Sequence, residues 1–363
     1  MENKTIKAYK GFDKDLKCRD FQYEVGKEYE MDGDIKCCER GFHACESPLE
    51  VFDHYDMLNS RFAEVEQSGV VDKEEGSTKV CSSKIKIKAE LKFADIINLG
   101  VEWLKEITSP AKMPSTGELN DNGYSAKIGS SGDSAKIGSS GDSAKIGSSG
   151  YYAQIGSSGD SAQIGSSGYS AKIGSSGYSA KIGSSGDSAK IGSSGDYAQI
   201  GSSGDYAQIG SSGYYAQIGS SGDSAQIGSS GYSAKIGSSG DSAQIGSSGY
   251  SAKIGSSGDS AQIGSSGDSA KIGSSGDSAQ IGSSGDYAQI DSTGEDSVIM
   301  CAGVNSMAKA KKGSWITLAE WKYSEEKKRM VSKCVKTEYV DGERIKEDVW
   351  YKLVDGEFKE VEQ

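Results

Sequence analysis

The sequence predicts a mainly β protein. Its centre is a parallel β-solenoid with two nonapeptide units per coil, flanked by a small N-terminal α+β domain and a C-terminal antiparallel β cap. The motif Gly-x-x-Ala-(Lys/Gln)-Ile-Gly-Ser-Ser repeats nineteen times between residues 123 and 290. Its Ala and Ile are two positions apart, which is the period of a β-strand with one buried side. Such a strict short period is typical of a solenoid, in which each unit buries its apolar side against its neighbours.

Each unit is expected to contribute one short strand and one bend. The Ala and Ile should point inward, while the intervening Lys or Gln, and the Ser or Tyr two positions before it, point outward. The Gly-Ser-Ser-Gly run should supply the bend, because Gly tolerates positive φ and Ser bonds to nearby backbone. The sequence therefore predicts a four-residue strand that ends at the Ile.

The number of units per coil follows from the variable outward residues. Three units would enclose more space than Ala and Ile can fill at native packing density. With two units per coil, outward residues eighteen positions apart should share a face. They sort into an Asp series on one face and a Tyr series on the other: Asp205, Asp223, Asp241, Asp259, Asp277, and Tyr214, Tyr232, Tyr250. We interpret these two series as candidate binding faces.

Composition limits the function. The chain has 363 residues and a formal net charge of −12. An acidic balance disfavours direct contact with nucleic-acid phosphates and leaves basic protein partners open. Seven cysteines without a regular framework suggest a reducing compartment. No stretch has the length of a signal peptide or a membrane span, so we expect a cytoplasmic protein without membrane contact, with the virion as an alternative location.

The domain boundaries are expected as follows. Residues 1–110 form the head, with a helix capped at Ser47 and a second helix over 95–107. Residues 111–122 form a connector. Residues 123–322 form the solenoid, whose degenerate last coils are closed by Trp315 and Trp321. Residues 323–363 form a three-stranded meander with two Asp-Gly turns.

Two side-chain groups of the head are weak candidates for chemistry. Cys37, Cys38, His43 and Cys45 are close in sequence, but their spacing matches no standard zinc knuckle, and we predict no metal or other cofactor. Glu64 and Glu66 after Arg61 resemble the Glu-x-Glu and Arg of ADP-ribosyltransferases. Two acids two apart on a strand are usually its solvated side, so no catalytic residue is predicted. His43, Arg61, Glu64 and Glu66 remain the residues to test first.

Several motifs resemble one known family. They are Tyr9-Lys-Gly-Phe12, Phe21-Gln-Tyr-Glu-Val-Gly26, Cys38-x-x-Gly-Phe-His-Ala-Cys45 with Pro48, and Arg61-Phe-Ala-Glu-Val. Together they are similar to an uncharacterised domain of phage and prophage proteins, which often precedes Gly/Ser/Ala/Ile repeats. The resemblance implies a phage-related origin and an intracellular setting, and it supplies no catalytic residues.

Three functional hypotheses follow. The leading one is a non-enzymatic scaffold that binds a protein partner, or a second copy of itself, through two chemically different faces. The second is an acidic decoy that occupies a host nucleic-acid-binding protein. The third is a transferase-like activity of the head. Calcium-dependent folding is disfavoured, because Tyr replaces the acidic residue in seven of the nineteen units.

Overall fold

The structure, a computed structural model, describes residues 5–74, 77–108 and 118–362. It is mainly β, with a parallel β-solenoid of about eleven turns between residues 127 and 318. One α-helix and an antiparallel sheet precede the solenoid, and antiparallel strands follow it. The predicted fold class is therefore confirmed.

The strand of each repeat unit is Lys/Gln-Ile-Gly-Ser, as in Gln208–Ser211. The expectation that the strand ends at the Ile and that Gly-Ser-Ser-Gly forms the bend is wrong, because this Gly and the first Ser belong to the strand. The Ser points inward, and in most units its Oγ accepts the backbone N–H two residues later, as from Gly213 to Ser211 at 3.3 Å. This bond satisfies the buried hydroxyl with the first residue of the next unit, and the bend begins only after the Ser. The Oγ atoms of a few units have no hydrogen-bond partner, namely those of Ser157, Ser256, Ser265, Ser274 and Ser283.

Two parallel sheets form the solenoid. Strands pair in register with the strand eighteen residues on, as Ile191 pairs with Ile209 and Ile200 with Ile218. This confirms two units per coil. We call one sheet the open sheet; its strands are Glu118–Asn120, Lys136–Ser139, Gln154–Ser157, Lys172–Ser175, Lys190–Ser193, Gln208–Ser211, Gln226–Ser229, Gln244–Ser247, Gln262–Ser265, Gln280–Ser283, Val298–Cys301, Trp315–Ser324 and Arg329–Tyr339.

The second sheet is called the covered sheet, because the head packs on it. Its strands are Lys127–Ser130, Lys145–Ser148, Gln163–Ser166, Lys181–Ser184, Gln199–Ser202, Gln217–Ser220, Lys235–Ser238, Lys253–Ser256, Lys271–Ser274, Gln289–Ser292, Met307–Lys309, Tyr351–Val354 and Glu357–Glu360. The Ile side chains of both sheets are buried between them in one continuous core. The predicted inward position of Ala and Ile is therefore confirmed.

The C-terminal end of the core is closed differently from our expectation. Trp315 is 48% exposed, because the alternation of its strand turns Ile316 and Leu318 inward instead. Trp321 is half-buried beside the core and donates its indole N–H to the carbonyl of Ala302. The core is closed by apolar residues of the tail, namely Val340, Ile345, Tyr351 and Leu353.

The tail consists of two hairpins on different sheets. Arg329–Tyr339 pairs antiparallel with Trp315–Ser324 and extends the open sheet. Tyr351–Val354 and Glu357–Glu360 pair antiparallel and extend the covered sheet. The antiparallel cap is confirmed. It is not one three-stranded meander, because each sheet of the solenoid ends in its own unpaired edge strand, and the tail pairs with both edges separately.

The head contains a small antiparallel sheet. Its strands are β1 (Ile6–Phe12), β2 (Lys17–Cys18), β3 (Phe21–Gln22), β4 (Glu28–Glu30), β5 (Phe42–Cys45), β6 (Arg61–Lys73) and β7 (Lys79–Leu91). β2 and β3 pair only with each other, and the remaining strands follow the order β4-β7-β5-β1-β6. β7 also pairs with β6, so β5, β1, β6 and β7 close on themselves.

Helix α1 (Phe93–Thr108) confirms the predicted second helix. The first predicted helix is a single 3₁₀ segment, Leu49–Asp53, that starts after Pro48 and has no side-chain cap. The expected cap residue Ser47 is instead fully buried. Apolar residues of the 3₁₀ segment and α1 form a second core on the outer side of the head sheet, including Leu49, Phe52 and Ile97.

Candidate functional site

The covered sheet holds the head through its outward glycines. Each strand from Lys127–Ser130 to Lys271–Ser274 presents one glycine outward, and α1 lies along the first six glycines of this column. The side chains of Ile97 and Phe93 occupy the space in which Gly201 and Gly219 would carry a Cβ. Leu104 similarly lies 3.0 Å from the Cβ position of Gly165. The glycines therefore form holes into which one side chain of each helical turn fits.

The repeat distances of helix and solenoid match. The column runs from Gly129, beside Thr108, to Gly219, beside Phe93, in five steps of eighteen residues. At about 4.8 Å per step this is about 24 Å. The sixteen residues of α1 also span about 24 Å. Because a helical turn rises about 5.4 Å, each turn meets roughly one coil along the whole contact.

Ion pairs reinforce this contact. Three acids of the segment before β6 each meet one lysine of the covered sheet: Glu50–Lys145, Asp53–Lys181 and Asp56–Lys235, at 3.5, 2.8 and 2.5 Å. Glu50 also accepts hydrogen bonds from Thr78 and from the amide of Gln163. The covered sheet therefore uses these lysines to seat the head.

Glu50 makes the contact sensitive to acid. Burial alone would raise its pKa, but the bonds from Thr78, Gln163 and Lys145 outweigh burial and lower the pKa of Glu50 below its usual value. A lowered folded-state pKa contributes stability that is present above the unfolded-state pKa and lost as pH falls through the folded-state pKa. We expect Glu50→Gln to cost about 1–3 kcal/mol near neutral pH, and this difference from the native chain to shrink below about pH 4. Urea unfolding of both chains between pH 7 and pH 2.5 measures it; a pH-independent difference would contradict this role for the carboxylate.

The open sheet carries the same glycine column without a helix on it. No atom lies within 4 Å of the position a Cβ would take at Gly156, Gly174, Gly192, Gly210, Gly228, Gly246, Gly264 or Gly282. Outward Lys and Gln side chains flank the column and make it an open groove of about 1810 Å³. We call this surface the open groove. It is the counterpart, on the opposite sheet, of the surface that seats α1.

The chemistry of the open groove changes along its length. Lys172 and Lys190 lie near its N-terminal end, and Gln side chains follow from Gln208 to Gln280. At the C-terminal end Val298 and Met300 take the corresponding outward positions and are 53% and 52% exposed. The groove therefore runs from a cationic end through an amide-lined middle to an apolar end.

The Asp and Tyr series sort as expected but lie elsewhere on the molecule. Both occupy the turns between strands, so they run along the two edges of the solenoid and not on its two sheets. The prediction that they lie on the sheets is wrong, because the strand starts three residues later than their position. The acidic edge carries Asp205, Asp223, Asp241, Asp259 and Asp277, and the tyrosine edge carries Tyr214, Tyr232 and Tyr250.

Both edges contribute contacts between coils. Asp259 accepts the backbone N–H of Asp277, and Asp277 that of Glu295, each at 2.8 Å. Each of these bonds joins a carboxylate to a backbone N–H of the next coil. The bonds thereby offset the repulsion between neighbouring acids. On the other edge the rings of Tyr214, Tyr232 and Tyr250 stack with centroid separations of 4.8 and 5.1 Å. A binding role for either edge stays a prediction.

The structure separates the catalytic candidates of the head. Arg61 forms a two-pronged ion pair with Glu90, with both N–O distances 2.6 Å. Glu64 pairs with Lys7 at 2.9 Å, and Glu66 with Lys88 at 2.8 Å. These three residues lie on β6, whereas His43 lies on β5 and lines a different cavity.

The cysteine-rich segment does not converge on one point. The Nε2 atom of His43 accepts the backbone N–H of Cys38, and the thiol of Cys37 donates to the carbonyl of Asp72. Cys45 is buried in the core beneath the 3₁₀ segment. In the part of the chain that the structure describes, no three His, Cys, Asp or Glu side chains are grouped to hold a metal ion.

Two features were missed by the sequence interpretation. One is the set of acids at 50, 53 and 56, whose regular spacing before β6 could have marked a docking segment. The other is Lys10, which shares the strand register of Ala8 and Phe12. The period of two could have placed it among inward residues.

Within the described ranges, no helix has the length and apolar character needed to cross a bilayer. Residues 6–99 match a family described as a domain of unknown function (DUF7666). No curated protein and no solved structure matches the chain significantly. The head is therefore similar to an uncharacterised domain, and it is joined here to a β-solenoid.

Proposed function

We propose that this protein is a non-enzymatic scaffold whose open groove docks an amphipathic α-helix of a protein partner. One observation carries the proposal. The covered sheet, built from the same repeat, already seats an amphipathic helix of this chain in its glycine column. The open groove offers the same holes at the same spacing. The phage-type setting implied by the head motifs remains a prediction.

The groove specifies the chemistry of its partner helix. One apolar side chain per turn would fill the glycine holes, as Phe93 and Ile97 do on the other sheet. Carboxylates would face Lys172 and Lys190, and further apolar residues would cover the exposed end of the groove. The column from Gly156 to Gly282 covers seven steps, or about 34 Å. A helix of roughly 23 residues spans that length.

A second copy of the chain fits the groove less well. Two open sheets placed face to face would oppose one glycine column to another, so no side chain would fill the holes. They would also bring lysines of one copy towards the amides or lysines of the other without a carboxylate. The helix partner supplies both the missing side chains and the missing negative charge.

The probe for this proposal is a helix-stabilised synthetic copy of α1, residues 93–108, carrying a fluorophore. We expect the full chain, whose covered sheet is already occupied, to bind it. Gly210→Leu should fill one hole of the open groove and weaken binding at least tenfold. The matched control is Gly273→Leu, on the covered sheet beyond the head, where a Cβ also meets no atom within 4 Å. Its affinity should equal that of the native chain.

Three outcomes would overturn the proposal. They are no binding at millimolar peptide, binding unchanged by Gly210→Leu, and binding weakened equally by both variants. A dimer in sedimentation that Gly210→Leu dissociates would assign the groove to a second copy. The acidic decoy hypothesis predicts a different surface, since its contacts are Asp223 and its neighbours on the acidic edge.

A further inference from the structure

Lys10 is the most deeply buried charged side chain of the head that lines a cavity. It lies on β1, is 2% exposed, and borders a cavity of about 920 Å³. Its Nζ lies 3.0 Å from the carbonyl of His43, 3.3 Å from the hydroxyl of Tyr55 and 3.5 Å from the thiol of Cys18. Among the described residues no carboxylate lies within ion-pair distance of it.

This environment favours the neutral amine. Burial lowers the pKa of Lys10 below its ordinary value, and the neighbouring Cys18 opposes this only in part. The Nζ also lies 5.6 to 5.8 Å from the ring centroids of Phe12, Tyr23 and Tyr55, contacts that favour the ammonium. Because a buried ammonium without a carboxylate partner is costly, the neutral fraction of Lys10 is nevertheless larger than that of an exposed lysine. The neutral amine carries a lone pair and is the nucleophilic form of the side chain.

Tyr55 is placed to supply a proton. Its ring lies across β1 where Gly11 has no side chain; a Cβ there would overlap the ring. Its hydroxyl lies within hydrogen-bond distance of both Lys10 and Cys18. Burial raises the pKa of Tyr55 well above its ordinary value. The phenol therefore stays protonated near neutral pH and can donate a hydrogen bond.

We propose that Lys10 is a nucleophile that binds a small aldehyde or ketone as an imine in this cavity. The Nζ lone pair attacks the carbonyl carbon, and one amine proton passes to the carbonyl oxygen to give a carbinolamine. As its hydroxyl leaves as water, the Tyr55 hydroxyl relays a proton: it passes its own proton to the leaving oxygen and takes the remaining N–H proton, so the phenol is restored. Amine and carbonyl compound thus give imine and one water, with no oxidant or reductant.

The cavity walls specify the carbonyl compound. Phe21, Tyr23, Phe42 and Tyr55 supply aromatic surface. Arg19, Arg40 and Lys79 also line the cavity, against Asp20 and Glu39, so the lining carries a small excess of positive charge. A planar aldehyde that carries a carboxylate satisfies both. This inference concerns the head alone and does not depend on the open groove.

The test is reductive trapping on the full chain. 4-Carboxybenzaldehyde and cyanoborohydride are added near pH 7, and the modified lysines are identified by peptide mass mapping. We expect Lys10 to be labelled at least tenfold faster than Lys14, which is exposed and four residues away. In 8 M urea the two rates should become similar.

The variant Tyr55→Phe keeps the ring and removes the hydroxyl, so labelling of Lys10 should slow several-fold while that of Lys14 is unchanged. Peptide mass mapping reports the labelling of Lys10 and Lys14 separately in the native chain. The main result therefore does not depend on any substituted protein. An unlabelled Lys10 beside a labelled Lys14, or equal rates in the folded chain, would overturn the proposal. Unchanged labelling in Tyr55→Phe would remove Tyr55 from the mechanism.

Discussion

Replacing Gly240 with alanine is expected to destabilise the solenoid by about 1–3 kcal/mol. Gly240 lies in a turn, and a Cβ at this position would overlap the carbonyl oxygen of Gly222 on the previous coil. That oxygen belongs to the backbone, so it can move only if the stacking of coils changes. Because each coil contacts only its neighbours, one widened step weakens the array on both sides. Urea unfolding measures the loss.

The matched control is Gly246→Ala, six residues later on the open sheet. A Cβ there meets no atom within 4 Å, and the backbone φ is not positive. We expect a change of less than about 1 kcal/mol, of either sign. Similar losses in the two variants would show that the turn glycines are not required for close stacking.

The second large effect is expected at the contact between the head and the covered sheet. Gly201→Leu would place a branched side chain where Ile97 and Phe93 now lie. Displacing one buried apolar side chain, here that of Ile97, from its packing site destabilises the contact by about 2–4 kcal/mol. We expect α1 to leave the sheet while the solenoid stays folded, since the coils themselves are untouched. Hydrogen exchange should show lost protection in α1 and unchanged protection in Gln199–Ser202 and its neighbours.

Gly210→Leu tests whether the effect requires the helix. Gly210 occupies the same position in the next repeat unit, but its strand belongs to the open sheet and no atom lies near its Cβ position. Exchange of α1 should be unchanged in this variant. If Gly210→Leu also released α1, the loss would reflect damage to the coil and not the position of the helix.

The repeat and its variable positions were sufficient to predict the solenoid. Ile at every ninth position indicates that each unit buries the same side chain. The alternation of Asp and Tyr units between residues 205 and 277 indicates a coil of eighteen residues. The head gave weaker predictions. Its helix over 95–107 was recognisable from periodicity, whereas the capped helix at Ser47 was wrong, because Glu50 and its neighbours fold to meet lysines of the covered sheet.

The candidate sites show where local sequence is insufficient. Asp and Tyr were expected on the two sheets, because a strand that ends at the Ile also places Ala and Ile on one side. The local pattern therefore does not distinguish such a strand from one that continues through the Gly and Ser. The pairing of Gly with Gly between coils, as Gly192 with Gly210, shows that the Gly belongs to the strand. The alternation of Ala8, Lys10 and Phe12 could have placed Lys10 on the inward side of β1. That this side is closed off from solvent follows from the closure of β5, β1, β6 and β7, which no local pattern contains.

The sequence by itself determined the architecture of the solenoid, the number of units per coil and the sorting of its variable residues, because each depends on a repeat read directly along the chain. The tertiary structure decided which sheet is covered. Both sheets carry the same glycine column, and only the packing of α1 and the ion pairs of Glu50, Asp53 and Asp56 distinguish them. The ion pairs join residues 95 to 179 positions apart, beyond the reach of any local pattern.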